Sequence, residues 1–140
     1  MTAPIVARLL LQTDCFRSVS AQHVRALGDA FEVTFLPADE TIFQTGEDGD
    51  AWFLVISGAV RITGSRSDGA TQELTVVEPG GSFGEVALLD TGLRSADAVT
   101  TQPTTLARLP RSAFTALLDA GQPAAVAMLR AISARLSVRL

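Results

Sequence analysis

Apolar positions near the amino end recur at helical spacing. Ile5 with Leu9 and Val6 with Leu10 are i, i+4 pairs, and Val24, Leu27 and Phe31 follow Ser20, a natural N-cap. Two short helices over residues 1–30 are the expectation. From Phe31 the pattern changes to short segments rich in apolar and β-branched residues: "AWFLVIS", the alternating "AVRIT", "ELTVV" and "TTLARL". Glycines at 46, 58, 69, 80 and 92 punctuate these segments almost evenly, the spacing of strands and turns in a sandwich or barrel. Residues 31–109 therefore read as a mainly β unit, a jelly-roll-like β-roll of about eight strands with helices on either side. The segments share no sequence repeat, so the even spacing reflects architecture.

Helical spacing returns after the roll, over residues 110–140. Phe114, Leu117 and Leu118 define one helix, which Gly121 can end, and Pro123 suits the first turn of another running to Leu140. Along that last helix Val126, Leu129, Leu136 and Leu140 approach a heptad seam, with Ser133 in the gap. Two roles fit: packing on its own roll, or contact with a second copy.

At 140 residues the chain is the size of one domain, 1–140, and its 47% apolar and 19% charged residues are a globular balance. A formal net charge of −4 argues against direct contact with nucleic acid. A single cysteine, Cys15, excludes an internal disulfide, and one histidine beside it makes no zinc site. Arg8 interrupts the apolar amino end, and the longest apolar run, "AWFLVI", is far too short to span a bilayer. A cytoplasmic protein, off the membrane, is the expectation.

Candidate chemistry concentrates in "GGSFGEVALLDTGLRSA". Gly80, Gly81 and Gly84 permit tight backbone geometry, and Glu85 opens a segment long enough for one or two helical turns. Free N–H groups at such a start favour an anion. Nine residues on, Arg94 offers a guanidinium able to grip a phosphate through two parallel hydrogen bonds, and Ser95 adds a hydroxyl. If the turn folds back, phosphate donors and a carboxylate acceptor for a sugar hydroxyl lie together. The alternative is structural: Glu85 favours the helix start, and Arg94 pairs with Glu85 or Asp90 on the surface.

This stretch, residues 82–96, resembles the phosphate-binding cassette of cyclic nucleotide-binding domains, and "TGEDGDAWFLVISGAVRI" resembles the glycine–acidic turn and strands of the same family's roll. The resemblance implies that Glu85 holds the ribose 2′-hydroxyl and Arg94 the cyclic phosphate. By the same resemblance Gly84, Val86, Ala87 and Ser95 supply backbone contacts, and Arg130, Ser133 or Ser137 of the last helix could touch the base. It implies a sensor or regulatory module with cAMP favoured over cGMP and no further cofactor, whose C-terminal helix signals to an effector or a second copy. Catalysis is not expected, because beyond the lone His23 the sequence offers no catalytic triad, no metal cluster and no nucleophile paired with a base. The alternative is a degenerate roll that binds nothing and serves in interaction or dimerisation. Two departures bear on affinity: Leu93 stands where the family usually has proline, and Asp97 would repel phosphate or engage Arg94 if it faced the pocket.

Elsewhere, "TGEDGD" reads as a solvated turn, since its acids lack calcium-loop spacing. His23 is expected at the surface, Cys15 as a small packed side chain and Trp52 in the core. Arg61, Arg66, Arg108 and Arg111 are expected to solvate outer faces.

Overall fold

The computed structural model describes residues 3–12, 16–88 and 93–139, excluding the side chains at 3, 4, 86, 87 and 134–139. Helices α1 (Ala3–Leu11) and α2 (Ala21–Asp29) lead into the strands β1 (Glu32–Leu36), β2 (Thr41–Phe43), β3 (Ala51–Ser57), β4 (Val60–Ser65), β5 (Thr71–Val77) and β6 (Ser82–Phe83). A single 3-10 turn (Glu85–Leu88) follows, then β7 (Asp97–Thr100), β8 (Thr104–Pro110), α3 (Arg111–Asp119) and α4 (Pro123–Arg139). The strands form two antiparallel four-stranded sheets, ordered β1-β8-β3-β6 and β2-β7-β4-β5. This is the mainly β roll with flanking helices that the patterning predicts.

Strand β3 shows why one segment is apolar throughout. Successive side chains of a strand point to opposite faces, and β3 is covered on both. Phe53 and Val55 point between the sheets with Val60, Phe83, Ala98 and Leu106. Trp52 and Leu54 point outward, joining Leu109 under a helical layer that contributes Val6, Leu10, Val24, Leu27, Phe114 and Met128. Each fully buried side chain of this size contributes about 1.5–3 kcal/mol. By contrast β5, at a sheet edge, leaves Leu74 and Val76 exposed.

The turn between β3 and β4 is closed by Gly58 at φ +88, where a Cβ would lie 2.4 Å from Thr104 Oγ1 and 2.5 Å from the Pro103 carbonyl oxygen. Ser20 caps α2, its hydroxyl meeting the His23 backbone N–H at 3.4 Å and the His23 ring Nδ1 at 2.8 Å. Gly121, at φ +71, ends α3 through backbone bonds Gly121 N–H to Leu118 O and Gln122 N–H to Leu117 O.

Helix α4 packs against α2 and α3, but its buried face is not the expected seam. Ala124, Ala125, Met128 and Ile132 are buried, while Val126 and Leu129 are half-buried. Weighting the large apolar residues misses this face, because the two alanines let the helix lie close to its neighbours. The side chain of Leu136 and all of Leu140 lie outside the described residues, as do Cys15, Asp90 and Gly92.

Candidate functional site

The cassette is anchored at its start by β3. Val55 N–H donates to Gly81 O at 2.9 Å and Gly80 N–H to Val55 O at 2.8 Å, and Phe53 pairs in register with Phe83. Gly84 then turns the chain at φ +79 into the 3-10 turn that opens on Glu85. The expected helix is thus one turn long, with Val86 and Ala87 in its backbone and Glu85 half-buried at its first position.

Arg94 folds back onto that turn. Its Nη1 donates to Gly84 O at 3.3 Å and its Nη2 to Ala51 O at 2.8 Å. The residue is only 9% exposed, and its guanidinium carbon sits 4.0 Å from the centroid of the Phe43 ring. The structural alternative places Arg94 on the surface, paired with Glu85 or Asp90. Arg94 is instead buried, and among the described residues, which do not include Asp90, its side-chain bonds go to one half-buried and one buried backbone carbonyl. Nε is buried without a hydrogen-bond partner there. Burial lowers the pKa of the guanidinium; Asp50 and Glu47 oppose that shift and Arg108 adds to it. An arginine remains charged regardless.

The backbone of Arg94 is clasped by the β2–β3 loop. Arg94 N–H donates to Glu47 O at 2.7 Å, Gly46 N–H donates to Arg94 O at 2.9 Å, and Leu93 bridges to Asp48. These bonds supply order that a proline at position 93 would otherwise bring. Asp97 does not engage Arg94: its Oδ1 accepts from Thr45 N–H at 2.6 Å and from Thr45 Oγ1 at 3.0 Å, bracing the same loop. The far end of the loop is tied to α3, with Arg111 N–H donating to Asp50 O and Arg111 Nη1 to Gly49 O, each at 2.7 Å. Arg108 bonds Glu32 at 2.7 Å and Asp50 at 3.3 Å. The loop is thus a clasp and not merely a solvated turn, and Arg108 and Arg111 hold it, whereas Arg61 and Arg66 make surface pairs with Glu73 and Asp68.

Of the residues read from sequence, Gly84 with Glu85 and Arg94 with Ser95 are brought to one place, and Ser95 is exposed. Phe43, Ala51 and the 46–47 backbone escaped sequence reasoning. The only signal for Phe43 is an aromatic three residues before the glycine of "TGEDGD".

Residues 33–120 match the family model described as the cyclic nucleotide-binding domain. The chain belongs to that family. The cyclic AMP receptor protein of Thermus thermophilus is 36% identical over 103 residues, covering 74% of this chain and 48% of that protein. A CRP-like cAMP-activated global transcriptional regulator of Mycobacterium tuberculosis is 28% identical over 128 residues, covering 91% of this chain and 57% of its own. The chain therefore spans about half the length of these relatives. Among solved structures, a cyclic nucleotide-binding domain from Methylobacillus flagellatus superposes with a TM-score of 0.85 at 25% identity, covering 98% of this chain and 77% of that one. Membership makes this a β-roll of the cyclic nucleotide-binding domain family. No helix among the described residues is long and apolar enough to cross a membrane.

Proposed function

We propose that the domain captures a cyclic nucleotide in its cassette, cAMP in preference to cGMP, and reports occupancy through α4. The observation that carries this reading is the fold-back of Arg94 onto Gly84, which sets a buried guanidinium beside the turn that starts at Glu85. In this reading Arg94 binds the cyclic phosphate and Glu85 accepts from the ribose 2′-hydroxyl. Backbone groups of Gly84, Val86, Ala87 and Ser95 complete the cradle. The unpartnered Nε of Arg94 fits a phosphate oxygen as acceptor, because a buried donor left unpaired is costly. The names of both bacterial relatives favour cAMP.

Transmission is supported by the clasp. The loop that holds Arg94 at Glu47 also holds the first amide of α3 at Asp50, and α3 packs against α4. A shift of the arginine on binding therefore has a bonded route to the terminal helices, where an effector or a second copy would read it. The domain acts by binding and not by catalysis, within the cytoplasm and without touching nucleic acid.

Calorimetric titration with cAMP and cGMP tests this. Arg94→Ala should weaken cAMP binding by about 2 kcal/mol or more, the scale of a charge-assisted contact. Equal affinities of native and variant, or no binding by the native chain, overturn the reading. One observation favours the rival, a roll that binds nothing: both Nη atoms of Arg94 already bond backbone carbonyls, which gives the residue a structural role. The same titration separates the two.

A further inference from the structure

Beneath the Arg94 guanidinium lies a shelf of three phenylalanines from three strands. Phe53 and Phe83 stack with centroids 5.1 Å apart and planes inclined by 12°, and Phe43 leans on both at 6.0 Å. The guanidinium carbon lies 4.0 Å from the Phe43 centroid and 5.9 Å from that of Phe53, so Phe43 is the ring it covers. A shift in register between Thr41 and Phe43, where β2 pairs with β7, marks an irregularity of the kind that re-aims a side chain.

The two carbonyl bonds fix only the Nη edge of the planar group and leave it free to pivot about that edge. A ring face beneath it removes this freedom, since a guanidinium stacks on an aromatic face and is attracted by the ring's quadrupole. The ring also offsets hydration lost on burial, which no aliphatic side chain would do.

We propose that Phe43 is a positioning residue for ligand binding: its ring sets the plane of the Arg94 guanidinium and so aims Nε, the edge without a partner, at the anion. This inference rests on the proposed cyclic nucleotide binding. It adds that affinity depends on the ring at 43 through Arg94, and not through the fold alone.

The test measures cAMP affinity by calorimetry for the native chain, Phe43→Leu, Phe43→Tyr, Arg94→Gln and the Phe43→Leu/Arg94→Gln double variant. Phe43→Leu should bind about tenfold more weakly, as expected for loss of a desolvated cation–π contact. Phe43→Tyr should recover most of that loss. In the Arg94→Gln background the same leucine substitution should cost less than about twofold, because no cation remains to position. Nuclear magnetic resonance of the native chain needs no variant to fold: the Arg94 side-chain proton signals should be displaced upfield by the ring current. Equal losses from Phe43→Leu in both backgrounds, or native Arg94 signals at ordinary positions, overturn the shelf. If the native chain binds cAMP and Phe43→Leu binds it equally well, the shelf alone falls. If the native chain binds neither cAMP nor cGMP, the binding reading falls and takes the shelf with it.

Discussion

Gly84→Ala strikes the point where backbone and guanidinium meet. The residue sits at φ +79, a left-handed conformation that costs an alanine about 1–2 kcal/mol. Its new methyl would also stand 2.7 Å from Arg94 Nη1 and 3.4 Å from Ala51 O. The carbonyl contact is ordinary, so the arginine must yield, and it is the end of a long side chain that is able to. Yielding stretches the bonds to Gly84 O and Ala51 O, whose loss adds about 1.5–3 kcal/mol for a charged donor. The sum, roughly 2.5–5 kcal/mol, corresponds to a fall in melting temperature on the order of 8–17 °C for a chain of this length. Because the guanidinium is displaced as well, cAMP affinity should drop about tenfold or more, beyond any effect of stability on the folded fraction. Thermal unfolding by circular dichroism, followed by calorimetric titration well below the transition, reads both quantities. A variant that melts within about 2 °C of the native chain and binds cAMP equally well would refute the close packing of Gly84 and Arg94.

Other substitutions test the frame around the site. Gly58→Ala should destabilise by more than about 3 kcal/mol in chemical denaturation, because its Cβ would meet the Thr104 Cα at 2.7 Å and the Pro103 carbonyl oxygen at 2.5 Å, backbone that does not yield. Thr100→Val removes a fully buried hydroxyl that donates to Pro37 O at 2.6 Å and accepts from Glu40 N–H at 2.8 Å. It should cost about 1–3 kcal/mol by urea unfolding with cAMP affinity preserved. Phe114→Ala, at a fully buried position on α3, which packs on β8 and α4, should cost about 3–5 kcal/mol in the same assay. Glu73→Gln breaks only the exposed pair with Arg61, and a stability change above about 1 kcal/mol would contradict the reading of that pair as superficial.

What the sequence disclosed follows the range of the interactions involved. The strands were legible because β3 carries its burial in its own composition, and turns because Gly58 and Gly121 need conformations other residues avoid. Ser20 announced α2 because an N-cap acts on an amide three residues away. The buried face of α4 was not legible, since Ala124 and Ala125 become core residues only through the neighbours they meet.

The site divides along the same line. Gly84, Glu85, Arg94 and Ser95 lie in one stretch whose residue types announce anion chemistry before any fold is known. The elements that fix how Arg94 sits come from elsewhere in the chain: Ala51 offers only a carbonyl, Glu47 another, and Phe43 a ring brought beneath the guanidinium by a strand of the other sheet. A carbonyl has no sequence signature, because every residue carries one. The charge of the cassette is therefore written locally, whereas its aim is a property of the closed roll, and substitutions at 43 or 84 should alter binding without changing a single charge.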